Sequence, residues 1–346
     1  MKSRRTFFKI LAGTVAFILP WTILPKYFGQ KVAYLLGEPP AKILLPAEAG
    51  QNLPKPSPEV FARKAIDDIR ILSSADMQGR RAGTAGETKA LVYLQEQLEA
   101  LHLKAFGDDR EWQTFSIPFM EERVINGRAL FRPDVSDSLR MPAANILAGL
   151  TGKSPEGTVI ISAHFDHLGI YNGKLCPGAN DNASGVGCVL EVMRRLVKES
   201  GTGTRPRINI VAAFWGAEEM GFLGSQYFVK KPTIPLSQVK AVINYDTVGN
   251  GEKKDFILWS TGDSPLINSV KKAVQKNGAE IESTAGQGYN SDQISFAGTG
   301  VPAVTILSKE WLAKNHTPED DMSLINEEKL ETACNILYDL IKEMAY

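Results

Sequence analysis

The chain has 346 residues, 43% hydrophobic and 23% charged, enough to bury a sizeable core. Lysine plus arginine and aspartate plus glutamate balance at 39 each, and no basic aromatic stripe is present, which argues against an electrostatic nucleic-acid binder. Three scattered cysteines, Cys176, Cys188 and Cys334, make no disulfide framework, and the lack of a CxxC pair argues against a thiolate zinc site.

The opening, MKSRRTFFKILAGTVAFILPWTIL, sets Ser3-Arg4-Arg5-Thr6-Phe7-Phe8-Lys9 before an apolar run from Ile10 to Leu24. Paired arginines ahead of such a run resemble a twin-arginine export signal, and the run is shorter than the roughly 18–20 residues of a bilayer span. The alternative is a basic membrane anchor through residues 7–24, because Ala47-Glu48-Ala49, which looks like a cleavage site, lies far downstream. The expectation is export across a bacterial inner membrane to a periplasmic or extracytoplasmic location. Residues 1–30 are assigned to this signal or anchor. Residues 31–58 are assigned to a linker, where Pro39-Pro40, Pro46, Pro54, Pro56 and Pro58 favour extended chain. The rest, 59–346, is expected to be one globular domain.

Within it, Val60–Ile71 reads as a helix. Gly79, Gly83 and Gly86 make a loop, after which Ala90, Leu91, Tyr93, Leu94, Leu98 and Leu101 fall at helical spacing. Residues 111–150 read as strands with turns. Thr158–Ala163 is a continuous β-branched run, the mark of a strand buried on both faces. Cys176 and Cys188 bracket the turn that follows, so they could pair; free thiols, with Cys188 packed in a helix, is the simpler reading. Val186, Val189, Leu190, Met193 and Val197 make a helical stripe. Ile208–Phe214 and Ala241–Tyr245 repeat the buried-strand pattern, Phe256–Trp259 is a shorter instance, Leu266–Lys276 is helical, and Val301–Leu307 is a last strand. Alternating buried strands and helices predict an α/β fold, a central mixed, largely parallel β-sheet flanked by helices on both faces.

The polar residues fall at the ends of these strands. His164 follows the first directly, Glu218 and Glu219 follow the second by a short loop, Asp246 follows the third, and His316 lies in a loop after the last. Ligands of open α/β sheets bind beyond the carboxyl ends of strands, so distant segments are expected to deliver these groups to one rim. Asp181, in the Gly/Asn/Ser-rich GANDNASG turn, joins them. Two histidines and three carboxylates suit Zn2+, with Mn2+ or Co2+ as substitutes, better than copper or an iron–sulfur cluster. Five donors exceed one tetrahedral site but fit two metals if one carboxylate bridges. Of the adjacent Glu218 and Glu219, one can bind metal while the other acts as general base. Asp166 is placed to orient His164 by accepting its second ring N–H.

These segments together resemble the bimetallic zinc aminopeptidase family, whose relatives include glutaminyl cyclases, glutamate carboxypeptidase II and the transferrin receptor. The resemblance runs from about Ile71 to the C-terminus. It rests on DMQGRRAGTAGE (76–87), AHFDH (163–167), GANDNASG (178–185), WGAEEMGFLGS (215–225), NYDTVG (244–249) and the histidine of KNHTPED (314–320). It implies that His164 and Asp246 hold one metal, Glu219 and His316 the other, and Asp181 bridges, with Glu218 as general base and Asp166 as the partner of His164. It also implies a cis peptide at Asp181-Asn182. His167 is left without a metal role. Tyr289 lies close to where some family members place a tyrosine that supports the oxyanion. The chain departs from the common Ser-Asp-His pattern at Ser291-Asp292-Gln293, which puts Gln293 near the substrate pocket and side-chain preference in doubt. The implied function is that of a metal-dependent exopeptidase, first of all an aminopeptidase acting on peptides with two Zn2+. Against a glutaminyl cyclase, which works with one zinc, and against a non-catalytic binding ectodomain stands the intact set of five donors and a base.

Overall fold

The computed structural model describes residues 57–346 apart from 126–127, 134–138, 155, 172 and 285–288. The signal or anchor expected at 1–30 and nearly all of the linker expected at 31–58 lie outside the described residues.

Two short helices open the described chain, α1 (Pro58–Ala62) and α2 (Ala65–Leu72). The single helix expected over Val60–Ile71 is broken at Arg63 and Lys64, both extended, and Asp67 accepts the Lys64 N–H at 3.0 Å to begin α2 afresh. A 3-10 turn over Ala75–Arg80 leads into α3 (Ala85–Ala100), where the Thr84 hydroxyl accepts the N–H of Gly86. Gly86 thus belongs to the helix, not to the expected loop. It is glycine because a Cβ there would lie 2.6 Å from the Met77 carbonyl oxygen.

The 111–150 region supplies β2 (Trp112–Pro118), a hairpin of β3 (Met120–Ile125) and β4 (Arg128–Pro133), and the long β5 (Arg140–Leu150), preceded by a short β1 (Lys104–Ala105). The α/β part follows with β6 (Thr158–His164), a small hairpin of β7 (Gly169–Tyr171) and β8 (Lys174–Cys176), and α4 (Gly185–Gly201). Next come β9 (Asn209–Trp215), α5 (Leu223–Lys230), β10 (Val239–Tyr245), β11 (Asp255–Ser260), α6 (Pro265–Lys276) and β12 (Glu280–Ser283). The chain closes with β13 (Ala303–Ser308) and α7 (Glu327–Ala345), the latter capped by Asn326, whose side chain accepts two backbone N–H groups.

Among the described residues, nine strands form one sheet, ordered β1-β5-β9-β6-β10-β13-β11-β12 with β2 also on β5. Its centre, β9-β6-β10-β13, is parallel, while β5 and β11 run antiparallel to it on either side. The sheet is therefore mixed with a parallel heart, as the alternating pattern predicts. β6 and β9 are buried along their full length. On one face Leu147, Ile160, Val211, Trp215 and Val242 pack against Phe228 of α5 and Phe296. On the other, Tyr245 donates its hydroxyl to the Ala333 carbonyl of α7 at 3.0 Å. Period-two alternation thus feeds both helical layers. Cys176, Cys188 and Cys334 are all buried, and none of them is in a disulfide. The parallel heart brings the carboxyl ends of four strands to one edge, where the site lies.

Candidate metal centre

His164 is the last residue of β6, paired with Trp215 at the end of β9. Its Nδ1–H donates to the backbone carbonyl of Asp166 at 3.2 Å, which turns Nε2 towards the site. The Asp166 carboxylate stands 3.8 Å from Nδ1, and its oxygens accept the N–H groups of Glu218 at 3.0 Å and Glu219 at 3.3 Å. It ties the loop after β6 to the loop after β9.

Around His164 Nε2 lie Asp181 Oδ1 at 3.4 Å, Asp246 Oδ1 at 3.5 Å and Glu218 Oε2 at 3.9 Å. Around His316 Nε2 lie Asp181 Oδ2 at 3.3 Å and Glu219 Oε2 at 2.9 Å. Asp181 therefore turns one oxygen to each imidazole. Two donors sharing a tetrahedral zinc with bonds of about 2.1 Å stand about 3.4 Å apart, so three of these separations match a shared ion. Among the described residues, two groups have the donor types and spacing to hold a metal: His164, Glu218 and Asp246, and His167, Asp181 and Glu219. All five residues named from the sequence as ligands converge here, together with Glu218.

The charge balance fits the same occupants. Asp166, Asp181, Glu218, Glu219 and Asp246 carry side chains no more than 10% exposed. Like charges this crowded are relieved by cations or by protons. Burial, with Glu219, Asp292 and Asp246 nearby, pushes Glu218 well above the usual carboxylate range despite His164. Burial also opposes the charge on Glu219, but His316 and His167 more than offset it and hold that carboxyl well below the usual range. Burial works against protonation of His164 and His316, yet the acids around them raise both imidazoles well above their ordinary value.

Several parts of the frame carry no metal-site signature in sequence. Arg80 is fully buried and donates to the carbonyls of Phe165 (2.7 Å), Leu72 (2.6 Å), Pro177 (2.8 Å) and Gly178 (2.9 Å). Its fixed positive charge lies behind the acids, and its bonds hold both the His164 loop and the turn before Asp181. Asp320 accepts the N–H groups of Asn180 (2.7 Å) and Asp181 (3.0 Å), and Asn315 donates to Asp181 Oδ2 at 2.5 Å. The expected cis peptide at Asp181-Asn182 is present, and the Asn182 amide spans to Tyr245 and Thr247. Non-glycine residues with positive φ cluster here as well: Ala217, Thr247 and His316 each sit at or beside a candidate donor.

Gln293 and Tyr289 lie in contrasting surroundings, one buried and one exposed. Gln293 is 1% exposed, and its Oε1 accepts the Thr305 hydroxyl at 2.6 Å and the Ser291 N–H at 3.2 Å. It belongs to a buried amide and hydroxyl network with Asn244 and Ser162 that braces the Asp292 turn. Tyr289 is 41% exposed with its ring edge-on to Trp311 at 5.0 Å, on the loop that leads to His316.

The chain is similar to known proteins over this same region. A family model described as peptidase family M28 matches residues 145–341. A probable leucine aminopeptidase of Arthroderma otae is 30% identical over 213 residues, covering 58% of this chain and 57% of that one. Aminopeptidase YwaD of Bacillus subtilis is 30% identical over 310 residues, covering 82% and 64%. The chain thus spans between half and two thirds of the length of the curated relatives it matches. Among solved structures, a zinc aminopeptidase from Bacillus subtilis superposes with TM-score 0.66 at 20% identity, covering 85% of this chain and 96% of that one. A glutaminyl cyclase from Porphyromonas gingivalis does so with TM-score 0.61 at 19% identity, covering 81% and 97%. At such identities the superpositions speak for the fold alone. The match across 145–341 includes every strand of the parallel heart and every residue of the paired clusters, and on it the chain belongs to peptidase family M28.

Proposed function

We propose that this protein is a metal-dependent exopeptidase, an aminopeptidase that removes N-terminal residues from peptides at a dinuclear zinc centre. The observation that carries the reading is the placement of Asp181, with one carboxylate oxygen 3.4 Å from His164 and the other 3.3 Å from His316. In this reading His164 and Asp246 hold one ion, Glu219 and His316 the other, and Asp181 serves both; Mn2+ or Co2+ would substitute. When bound, the ions would supply a water of lowered pKa and a Lewis acid for the scissile carbonyl. The names of the relatives, aminopeptidases in both Arthroderma otae and Bacillus subtilis, support the substrate class.

The chain's own residues carry the proton and the orientation. Glu218 is held by its backbone N–H on Asp166, so its carboxylate is presented from a fixed loop, 3.9 Å from His164 Nε2. It takes a proton from the attacking water and delivers it to the leaving amine. Burial, with Glu219, Asp292 and Asp246 nearby, raises this carboxyl's affinity for a proton, which is what a group that draws one from water needs. Tyr289 is the candidate for supporting the oxyanion from the His316 side.

The test is a panel of peptides and aminoacyl anilides offered to the zinc-loaded protein, with free or acetylated N-termini. Cleavage confined to free N-termini, lost with chelator and restored by zinc, is the expected result. Equal cleavage of acetylated peptides would remove the aminopeptidase reading, and cyclisation of N-terminal glutamine without hydrolysis would replace it by a glutaminyl cyclase. We further propose export, resting on Arg4-Arg5 and the apolar run to Leu24. Recovery of the full-length protein in the cytoplasmic fraction, unchanged by Arg4-Arg5→Lys-Lys, would contradict it.

A further inference from the structure

His167 lies in the AHFDH motif three residues beyond His164 and has no part in the reaction described above. It is nevertheless completely buried, and its Nδ1 lies 2.7 Å from Glu219 Oε1. The other oxygen of the same carboxylate, Oε2, is 2.9 Å from His316 Nε2. Glu219 is thus gripped on both oxygens, each by a different imidazole. The two rings stand edge to face, 5.8 Å between centroids.

We propose that His167 is a positioning residue for the second metal site: its Nδ1–H donates to Glu219 Oε1 and so aims Oε2 at the ion shared with His316. The inference rests on the dinuclear reading above. A rival role, His167 as a further metal ligand, fits the structure less well. A ligating imidazole almost always anchors its other ring nitrogen on an acceptor. His167 Nε2 is buried and has no hydrogen-bond partner. With Nδ1 as the donor, Nε2 carries a lone pair and no N–H is left stranded, so the donor tautomer is the one the surroundings accept. His167 Nδ1 is also 3.9 Å from Asp181 Oδ2, well beyond its distance to Glu219.

The surroundings keep the ring in this pose. A Cβ on Gly178 would lie 2.6 Å from His167 Cγ and Cδ2, so the glycine is what gives the ring its space. The Gly178 carbonyl is in turn held by Arg80 at 2.9 Å. A carboxylate released on one side could swing, turn its plane, or leave its inner oxygen buried and unpaired, and each outcome weakens the aim of Oε2.

Zinc titration of the full-length protein, with bound metal counted per chain, tests this. His167→Leu removes the donor. His167→Gln moves an amide donor outward to where Nε2 was. His167→Asn keeps an N–H close to the Nδ1 position but offers no imidazole lone pair. The unsubstituted protein should bind two equivalents. His167→Leu and His167→Gln should each weaken one of the two by about 10–100-fold and leave the other within about threefold. His167→Asn should restore most of that loss. Two unweakened sites in His167→Gln and His167→Leu would overturn the inference while leaving the dinuclear reading standing. An Asn variant as weak as the Gln variant would overturn it in favour of direct ligation. Absence of zinc binding by the unsubstituted protein would overturn the dinuclear reading, and this inference with it. Thermal melting in chelator identifies any variant that fails to fold; the Asn and Gln variants, both amides, keep the comparison if Leu does.

Discussion

Replacing Arg80 by Met should loosen the whole metal rim. The guanidinium donates to four carbonyls, those of Leu72, Phe165, Pro177 and Gly178, at 2.6–2.9 Å, and is completely buried. Burial lowers its pKa to about 10 while Asp320, Asp181, Asp166 and Glu219 favour the charge, so it stays a cation at neutral pH. Methionine fills much of the stem's volume and supplies no donor. A dry orphaned acceptor costs about 1–3 kcal/mol, giving about 4–12 kcal/mol for all four. Water entering the polar space left behind would satisfy some of them. Removing one partner from a buried charge assembly costs about 3–5 kcal/mol, and a loss of roughly 4 kcal/mol is therefore expected. The left-handed backbone at Arg80, φ 52°, is equally unfavourable for Met, so it cancels from the comparison. Urea unfolding in chelator measures the loss at unchanged slope. Repeating it with zinc should show the variant gaining less from the metal than the unsubstituted protein does, because the Phe165 and Gly178 carbonyls flank the His164 and Asp181 loops. A loss under about 1 kcal/mol, with undiminished stabilisation by zinc, would refute the view that Arg80 organises the rim.

Two further outcomes are expected. Gln293→Ala should cost about 1–3 kcal/mol of stability by stranding the Thr305 hydroxyl and Ser291 N–H, yet leave the ratio of kcat/KM between leucyl and other aminoacyl substrates unchanged within about twofold. A reordered substrate preference would return Gln293 to the pocket. Lys329 is buried, donates to the carbonyls of Glu252 and Asp255, and lies over the Phe256 ring at 4.1 Å; burial lowers its pKa to about 8. The unfolded lysine titrates near ~10.4, so between about pH 8 and ~10.4 the unfolded state holds more protons and this group's contribution to stability rises with pH. Below about pH 8 both states carry the proton and the contribution is flat. Lys329→Met should remove that upward component from the stability profile in chelator, and a profile parallel to the unsubstituted protein's would contradict it.

The buried β-branched runs are legible because a strand covered on both faces has no polar alternation to confuse it, as in Thr158–Ala163. The candidate ligands are legible for a related reason. His164, Asp181, Glu218, Glu219, Asp246 and His316 sit where strands end, and a parallel heart gathers those ends. What the sequence hides is the support. Arg80 lies in a run of glycine and arginine that reads as solvated loop, yet its partners are carbonyls distant in sequence, which no side-chain pattern records. Gln293 is set near the pocket by the family pattern alone; its bond with Thr305, twelve residues away on β13, leaves no mark in the spacing. The break at Arg63 and Lys64 is written in Asp67, a capping acid three residues on, but is masked by the helical spacing across it. β12 pairs at the sheet edge with mostly exposed residues, so its sequence carries little hydrophobic signal. For His167 the signal is present in the motif itself, and only geometry separates its role from that of His164.

The most direct test of the account is zinc content and turnover in Glu218→Ala measured side by side. If Glu218 moves the proton while the other five residues hold the metals, the variant binds two zinc equivalents per chain, as the unsubstituted protein does. Its kcat falls at least about 10²–10⁴-fold. A variant that keeps most of its turnover, or one that loses a zinc along with its activity, would contradict the division of labour between Glu218 and Glu219 on which the mechanism stands.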